Sequence, residues 1–256
     1  MALIEFSGLT KRYGAVAAVE DLTFSLAPAR VTGFVGSNGA GKSTTMRALL
    51  GLTRPTAGSA TIDGLPYAAL DHPIRSVGAM VDPQVFHPRR TARNSLRVVA
   101  KAARLSEGRV DEVLSHVGLA NVAGRRVGGF SMGMRQRLAL ANALLGDPET
   151  LVLDEPANGL DPDGVRWLRG LIRSMAAEGR TVFVSSHLLA ELAQTVDDVV
   201  IIAHGRLVAH EPMAHLLKRA GDSSLEDVFF TLTSPADQSR PSTAVTDRPD
   251  TNWSPS

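Results

Sequence analysis

The run GSNGAGKST, Gly36 to Thr44, lies between an apolar segment, RVTGFV, and a run with helical spacing, KSTTMRALL. A glycine, four residues, then Gly-Lys-Ser at this junction is the pattern of a loop that wraps a polyphosphate. Glycine is needed where backbone must approach a ligand closely in conformations a Cβ would block. Backbone N–H groups then face the anion, and the following helix offers it the positive end of its dipole. Gly36, Ser37, Asn38, Gly39, Ala40, Gly41, Lys42, Ser43 and Thr44 are therefore the candidate phosphate-binding set. Lys42 is expected to reach the terminal phosphates, and the Ser43 hydroxyl to offer an oxygen ligand to Mg²⁺. The pattern requires a strand before the loop and a helix after it, so an α/β fold is expected.

A carboxylate partner is supplied by TLVLDEP, an apolar strand that ends in Asp154 and Glu155. At the carboxyl end of a parallel strand, Asp154 can hold Mg²⁺ through water, and Glu155 can orient or deprotonate an attacking water. Side chains alternate along a strand, so both face the site only if the strand stops there, as Pro156 suggests.

The texture of the chain changes along its length. Up to about residue 60, short apolar segments read as a sheet with one inserted helix, about Lys42 to Leu50. From about 85 to 145 the apolar spacing is helical, which reads as an inserted helical subdomain. From Thr150 strands and helices alternate, as in a sheet made parallel by helical crossovers. The expected fold class is thus α/β, a P-loop NTPase with a mixed or parallel core sheet, an N-terminal antiparallel β-subdomain and the inserted helices. Residues 1–233 form the expected domain, and 234–256, rich in Pro, Ser, Thr and Asp, a disordered tail.

Composition narrows the function. Lys plus Arg is 27 against 26 for Asp plus Glu. No excess of positive charge favours nucleic acid. Without cysteine, disulfides, thiolate metal sites and a cysteine nucleophile are excluded. The N-terminus lacks a charged segment followed by an apolar one, so no secretory signal is expected, and no apolar run approaches the ~20 residues of a membrane-spanning helix.

The stretch FSMGMRQRLALANALLGDPETLVLDEPANGLDP resembles the ATP-binding cassette family, the nucleotide-binding subunits of membrane transporters, and the resemblance extends over nearly all of the chain to about Thr233. It implies ATP as substrate with Mg²⁺. Tyr13 in LTKRYG matches the aromatic that stacks on adenine, Ser131 and Gly133 the signature loop, Asp161 the D-loop, and His187 in VFVSSH the switch histidine. Residue chemistry also allows plainer roles: Ser131 as a helix N-cap, Asp161 as a turn or cap residue before Pro162. The resemblance further implies that Ser131 reaches the nucleotide of a second copy or of a related cassette, that the two close on two ATP molecules, and that the pair is attached to a transmembrane permease at the cytoplasmic face of the membrane, with no nucleic acid involved. Export of a drug, antibiotic or lipid-like cargo is expected. The alternative is a soluble cassette ATPase acting on ribosomes or DNA; such proteins usually carry tandem cassettes or long insertions. No N-K-x-D motif supports a GTPase.

Two departures from the family pattern stand out. The signature pentapeptide, usually LSGGQ, is FSMGM, Phe130 to Met134, as in cassettes resembling bacterial drug and lantibiotic exporters. In SVGAMVDPQVFHP, Asp82 falls where relatives carry the Mg²⁺-linked glutamine; Gln84, two residues along, is the other candidate. Arg89, Arg90, Arg93 and Arg97 follow, a solvated face or a surface for the permease. Leu225, Val228, Phe229 and Leu232 share one face of a C-terminal helix, expected to pack on the body.

Overall fold

The computed structural model describes residues 3–82, 86–221 and 223–234; Gln84 and all but Ser234 of the expected tail lie outside them. The strands are β1 (Ile4–Tyr13), β2 (Val16–Leu26), β3 (Val31–Val35), β4 (Ala57–Ile62), β5 (Val77–Met80), β6 (Thr150–Leu153), β7 (Thr181–Ser186), β8 (Asp198–Ala203) and β9 (Arg206–Pro212). The helices are α1 (Lys42–Leu49), α2 (Pro73–Ser76), α3 (Ala92–Ala102), α4 (Glu107–His116), α5 (Met132–Leu144), α6 (Pro162–Ala177), α7 (Leu189–Ala193), α8 (Met213–Ala220) and α9 (Leu225–Thr233).

Two sheets result. One is antiparallel, in the order β2-β1-β4; the other has six strands, β5-β6-β7-β3-β8-β9, parallel except for β9 at its edge. The expectation of one N-terminal sheet up to residue 60 is corrected here, because β3 belongs to the parallel sheet. Burial explains the division. All five residues of β3 are buried, while β1 and β2 alternate buried with exposed or half-buried positions. A strand covered on both faces belongs inside a parallel sheet, and one with a wet face suits an antiparallel layer.

The parallel strands feed two cores with alternate side chains. Phe34, Val152, Phe183, Val200 and Ile202 face the antiparallel sheet, together with Met46 and Leu49 of α1. Phe6 packs against Phe183 with ring centroids 6.1 Å apart and Phe24 against Phe34 at 5.9 Å, which joins the two sheets. Val35, Leu151, Leu153, Val182, Val184 and Ile201 face the other way, onto the helices. Each such side chain taken from water contributes about 1.5–3 kcal/mol. The helices α3, α4 and α5 form the expected insertion, with Arg93 paired to Asp111 at 2.9 Å and Arg97 to Glu107 at 3.7 Å between α3 and α4. Leu225, Val228, Phe229 and Leu232 of α9 pack against the helical-side core, as their spacing predicts.

Polar groups at the amino ends of the core strands are tied internally. Arg30 forks onto Asp198, with Nε 2.5 Å from Oδ2 and Nη2 2.8 Å from Oδ1. Asp197 accepts from the Val31 N–H at 2.9 Å and from Arg173 at 2.8 Å. Burial alone would raise the Asp197 carboxyl, but the Val31 N–H and Arg173 outweigh it and hold the group below its usual value. A depressed carboxyl stabilises the fold above the unfolded-state pKa, and that contribution is lost as pH falls through the folded-state value. Asp197→Asn is therefore expected to lower the melting temperature at pH 7, and the gap from the parent to close as pH is taken below about 4; a gap that stays constant with pH contradicts this assignment.

Candidate functional site

In the parallel sheet Val35 is level with Ser186, and Leu153 with Val184. The carboxyl ends of β3, β6 and β7 thus deliver Gly36, Asp154 and His187 to one edge, where ligands of open α/β sheets bind. β7 lies between the other two strands, so the residue that follows it, His187, emerges between the strand ends that carry the glycine-rich loop and Asp154.

The loop takes its shape from two close approaches. A Cβ on Gly36 would fall 2.7 Å from the Ile202 carbonyl oxygen. Gly41 has φ +108, and a Cβ there would fall 2.5 Å from the Ala18 carbonyl oxygen of β2. The turn therefore fits only without side chains at these positions. Ser37, Asn38 and Gly39 are exposed, Ser43 and Thr44 half-buried, and Ala40 buried. The loop is closed by an Ala40 N–H to Ser37 carbonyl bond of 3.0 Å.

Lys42, 6% exposed, donates to the Gly36 carbonyl at 2.7 Å and lies 3.2 Å from Glu155 Oε1 as an ion pair. Glu155 Oε2 lies 2.9 Å from His187 Nδ1. One carboxylate thus joins the phosphate-loop lysine to the histidine, and an Nδ1–H given to Glu155 leaves His187 Nε2 as the free edge of the ring.

The two adjacent acids face the same place because the chain turns at Glu155, whose φ is +49. A left-handed, non-glycine residue is strained by roughly 1–3 kcal/mol and persists only where its surroundings hold it. Both its backbone groups are held. Its N–H donates to Ser185 Oγ at 2.9 Å, and its carbonyl accepts from Gln136 Nε2 at 3.0 Å. Ser185 also donates to Asp154 Oδ1 at 2.6 Å. Ser185 and Gln136 are absent from the sequence-derived set; their signals are a serine ending the apolar strand TVFVS and a glutamine on the buried face of α5.

Of the other expected residues, Tyr13 ends β1, is 53% exposed, and carries the Lys11 ammonium 4.9 Å from its ring centroid. Ser131 is an exposed N-cap of α5 that accepts from the Met134 N–H at 3.2 Å. Asp161 caps α6 through the Gly164 N–H at 2.7 Å. These are the plainer roles that residue chemistry allows. Of the two methionines of the unusual signature, Met132 is 62% exposed and lies over Gly159, where a Cβ would be 2.6 Å from its Cγ, and a Cβ on Gly133 would be 3.1 Å from the Gly159 carbonyl. Asp82, exposed just past β5, lines a groove of about 390 Å³ together with Tyr67, Val99 and Asn142.

A family model described as ABC transporter matches residues 19–158. The chain belongs to the ABC transporter family. Among curated ABC transporter proteins it is 44% identical over 220 residues to the bacitracin transport ATP-binding protein BcrA of Bacillus licheniformis, covering 85% of this chain and 72% of that protein. To the lantibiotic transport ATP-binding protein SrtF of Streptococcus pyogenes it is 34% identical over 227 residues, covering 89% of this chain and 96% of that protein. A solved ATP-binding subunit of an ABC transporter superposes with TM-score 0.80 at 29% identity, over 91% of this chain and 100% of that one. The bacterial ABC cassette MJ0796 shares the fold, with TM-score 0.75 at 22% identity over 82% of this chain and 98% of that one. The chain is an ABC-type ATPase.

Gly41→Ala forces a Cβ onto the Ala18 carbonyl in a left-handed turn. It is expected to lower unfolding free energy by about 1–3 kcal/mol and to weaken nucleotide binding, read by denaturant melts and by titration with a fluorescent ATP analogue. Unchanged values in both contradict the loop geometry described.

Proposed function

We propose that two copies of this chain, attached to a separate transmembrane permease at the cytoplasmic face of the membrane, hydrolyse ATP to ADP and phosphate to drive export of an antibiotic, drug or lipid-like cargo. The observation that carries the reading is the chain of contacts from Lys42 through Glu155 to His187 at the mouth of a phosphate loop. The bacitracin and lantibiotic transport proteins among the relatives support an antibiotic-like cargo. No helix among the described residues is long and apolar enough to cross a membrane, which fits attachment through a partner. The groove that Asp82 lines, with Leu52 and Val99 in its wall, is the surface assigned to the permease.

In this reading the loop amides from Gly36 to Thr44 and the Lys42 ammonium bind the phosphates, and Tyr13 stacks on the adenine ring. The donors Ser43, Asp154 and Asp82 supply a hydroxyl and carboxylates, the hard oxygen ligands that suit Mg²⁺. Bound there, the ion neutralises charge on the phosphate oxygens. Glu155 takes the proton of the attacking water, held by His187 on its other oxygen. His187 Nε2 is the edge of the ring that faces the γ-phosphate. The capped, exposed N-terminus of α5 is an anion site assigned, through Ser131 and Gly133, to the nucleotide of the second copy. Asp161 lies on the neighbouring loop and is assigned to the same contact between copies.

Glu155→Gln keeps the size of the side chain and removes its basicity. It is expected to retain ATP binding and to slow phosphate release by roughly a hundredfold or more. Parental turnover in this variant contradicts Glu155 as the base.

A further inference from the structure

We infer that Ser185 and Gln136 are positioning residues for hydrolysis, clamping the main chain of Glu155 from both sides so that its carboxylate stays aimed between Lys42 and His187. The inference rests on Glu155 being the base. Ser185 is 1% exposed and Gln136 4% exposed, and each spends its side-chain hydrogen bonding on this one turn. Ser185 Oγ accepts the Glu155 N–H at 2.9 Å while donating to Asp154 Oδ1 at 2.6 Å. A single hydroxyl therefore sets the spacing of the two acids. On the other side Gln136 Nε2 reaches the Glu155 carbonyl at 3.0 Å, where the Asn158 N–H also bonds at 3.2 Å.

Two features make this more than core satisfaction. The held residue is left-handed at φ +49 without being glycine, so its conformation is not its own preference and relaxes if the clamp is removed. A relaxed Glu155 swings its carboxylate, since rotation about the backbone moves a side chain that extends four bonds from it. The clamp is also built from two separate parts of the fold, the end of β7 and the buried face of α5. Ser185 covers an N–H that would otherwise lie unsatisfied beside the site, and Gln136 gives the Glu155 carbonyl a second donor beside the Asn158 N–H. Neither Ser185 nor Gln136 touches the phosphate loop through a described hydrogen bond. Their effect on catalysis therefore passes through Glu155 and, for Ser185, through Asp154.

The test compares Ser185→Ala, Ser185→Thr and Gln136→Leu, each alone and combined with Glu155→Gln, in the full chain. Phosphate release is normalised to titrated ATP sites, so misfolded protein does not enter the rate. Ser185→Ala and Gln136→Leu are expected to lower kcat about tenfold or more while the ATP Kd stays within about threefold. Ser185→Thr, which keeps the hydroxyl, recovers most of the loss. In the Glu155→Gln background Gln136→Leu does not lower the residual rate further, and Ser185→Ala lowers it by a smaller factor than in the parent, through Asp154 alone, because residues acting through one group are non-additive. A kcat within about twofold of the parent for both single variants overturns the inference, as does the same fractional loss in the Glu155→Gln background or a loss matched by ATP affinity. If Ser185→Ala does not fold, Gln136→Leu carries the same comparison, since it removes only the bond to the Glu155 carbonyl. A Glu155→Gln chain that turns over normally overturns the underlying reading instead. A slow Glu155→Gln chain with additive losses overturns the clamp alone.

Discussion

The Lys42 ammonium, 6% exposed, needs an anion, and Glu155 Oε1 at 3.2 Å supplies one. Much of the molecule can be understood as the scaffold that makes this contact. Removing one partner of such a pair leaves a buried, uncompensated charge, which costs far more than an exposed pair contributes. Lys42 arrives at the first turn of α1, fixed by a loop that accepts no Cβ at Gly36 or Gly41. Glu155 arrives from β6 through a left-handed turn. The parallel register of β3, β7 and β6 brings the two to one edge, with His187 on the other carboxylate oxygen of Glu155. In the proposed function the pair also places the base beside the cation that is to hold the phosphates, so charge on an incoming triphosphate competes directly with the carboxylate for Lys42.

The opposite edge of the sheet has another task. Arg30, Asp197, Asp198 and Arg173 pair among themselves at the amino ends of β3 and β8, where they join strands and α6 without facing the loop. Stability and chemistry are thus separated by strand direction, an arrangement that parallel strands impose because every carboxyl end points the same way.

Much of this was legible in the sequence, for identifiable reasons. Asp154, Glu155 and His187 stand at the ends of short apolar segments, and Lys42 and Ser43 close a glycine pattern of fixed spacing. Helical spacing likewise placed α3, α4 and α5. What stayed hidden depends on non-local pairing or on backbone sign. That β3 leaves its sequence neighbours for the parallel sheet follows from burial on both faces, which its composition alone does not reveal. Pro156 signals that the strand stops, but the left-handed turn itself is at Glu155, a conformation that no glycine marks. Ser185 and Gln136 act on a segment distant in sequence, so only packing discloses them. The structure gives Ser131 and Asp161 their capping roles.

Gln136 and Ser131 belong to one helix. In the proposed pair, the residue that meets the neighbour's nucleotide and the residue that holds the chain's own Glu155 therefore move as one body. A site left open in the single chain, with an exposed helix cap turned elsewhere, is the central claim. Sedimentation of the Glu155→Gln chain at saturating ATP and Mg²⁺ tests it most directly. The account predicts a shift from one copy to two that a Ser131→Arg substitution abolishes, and a chain that remains single while fully loaded with nucleotide would contradict it.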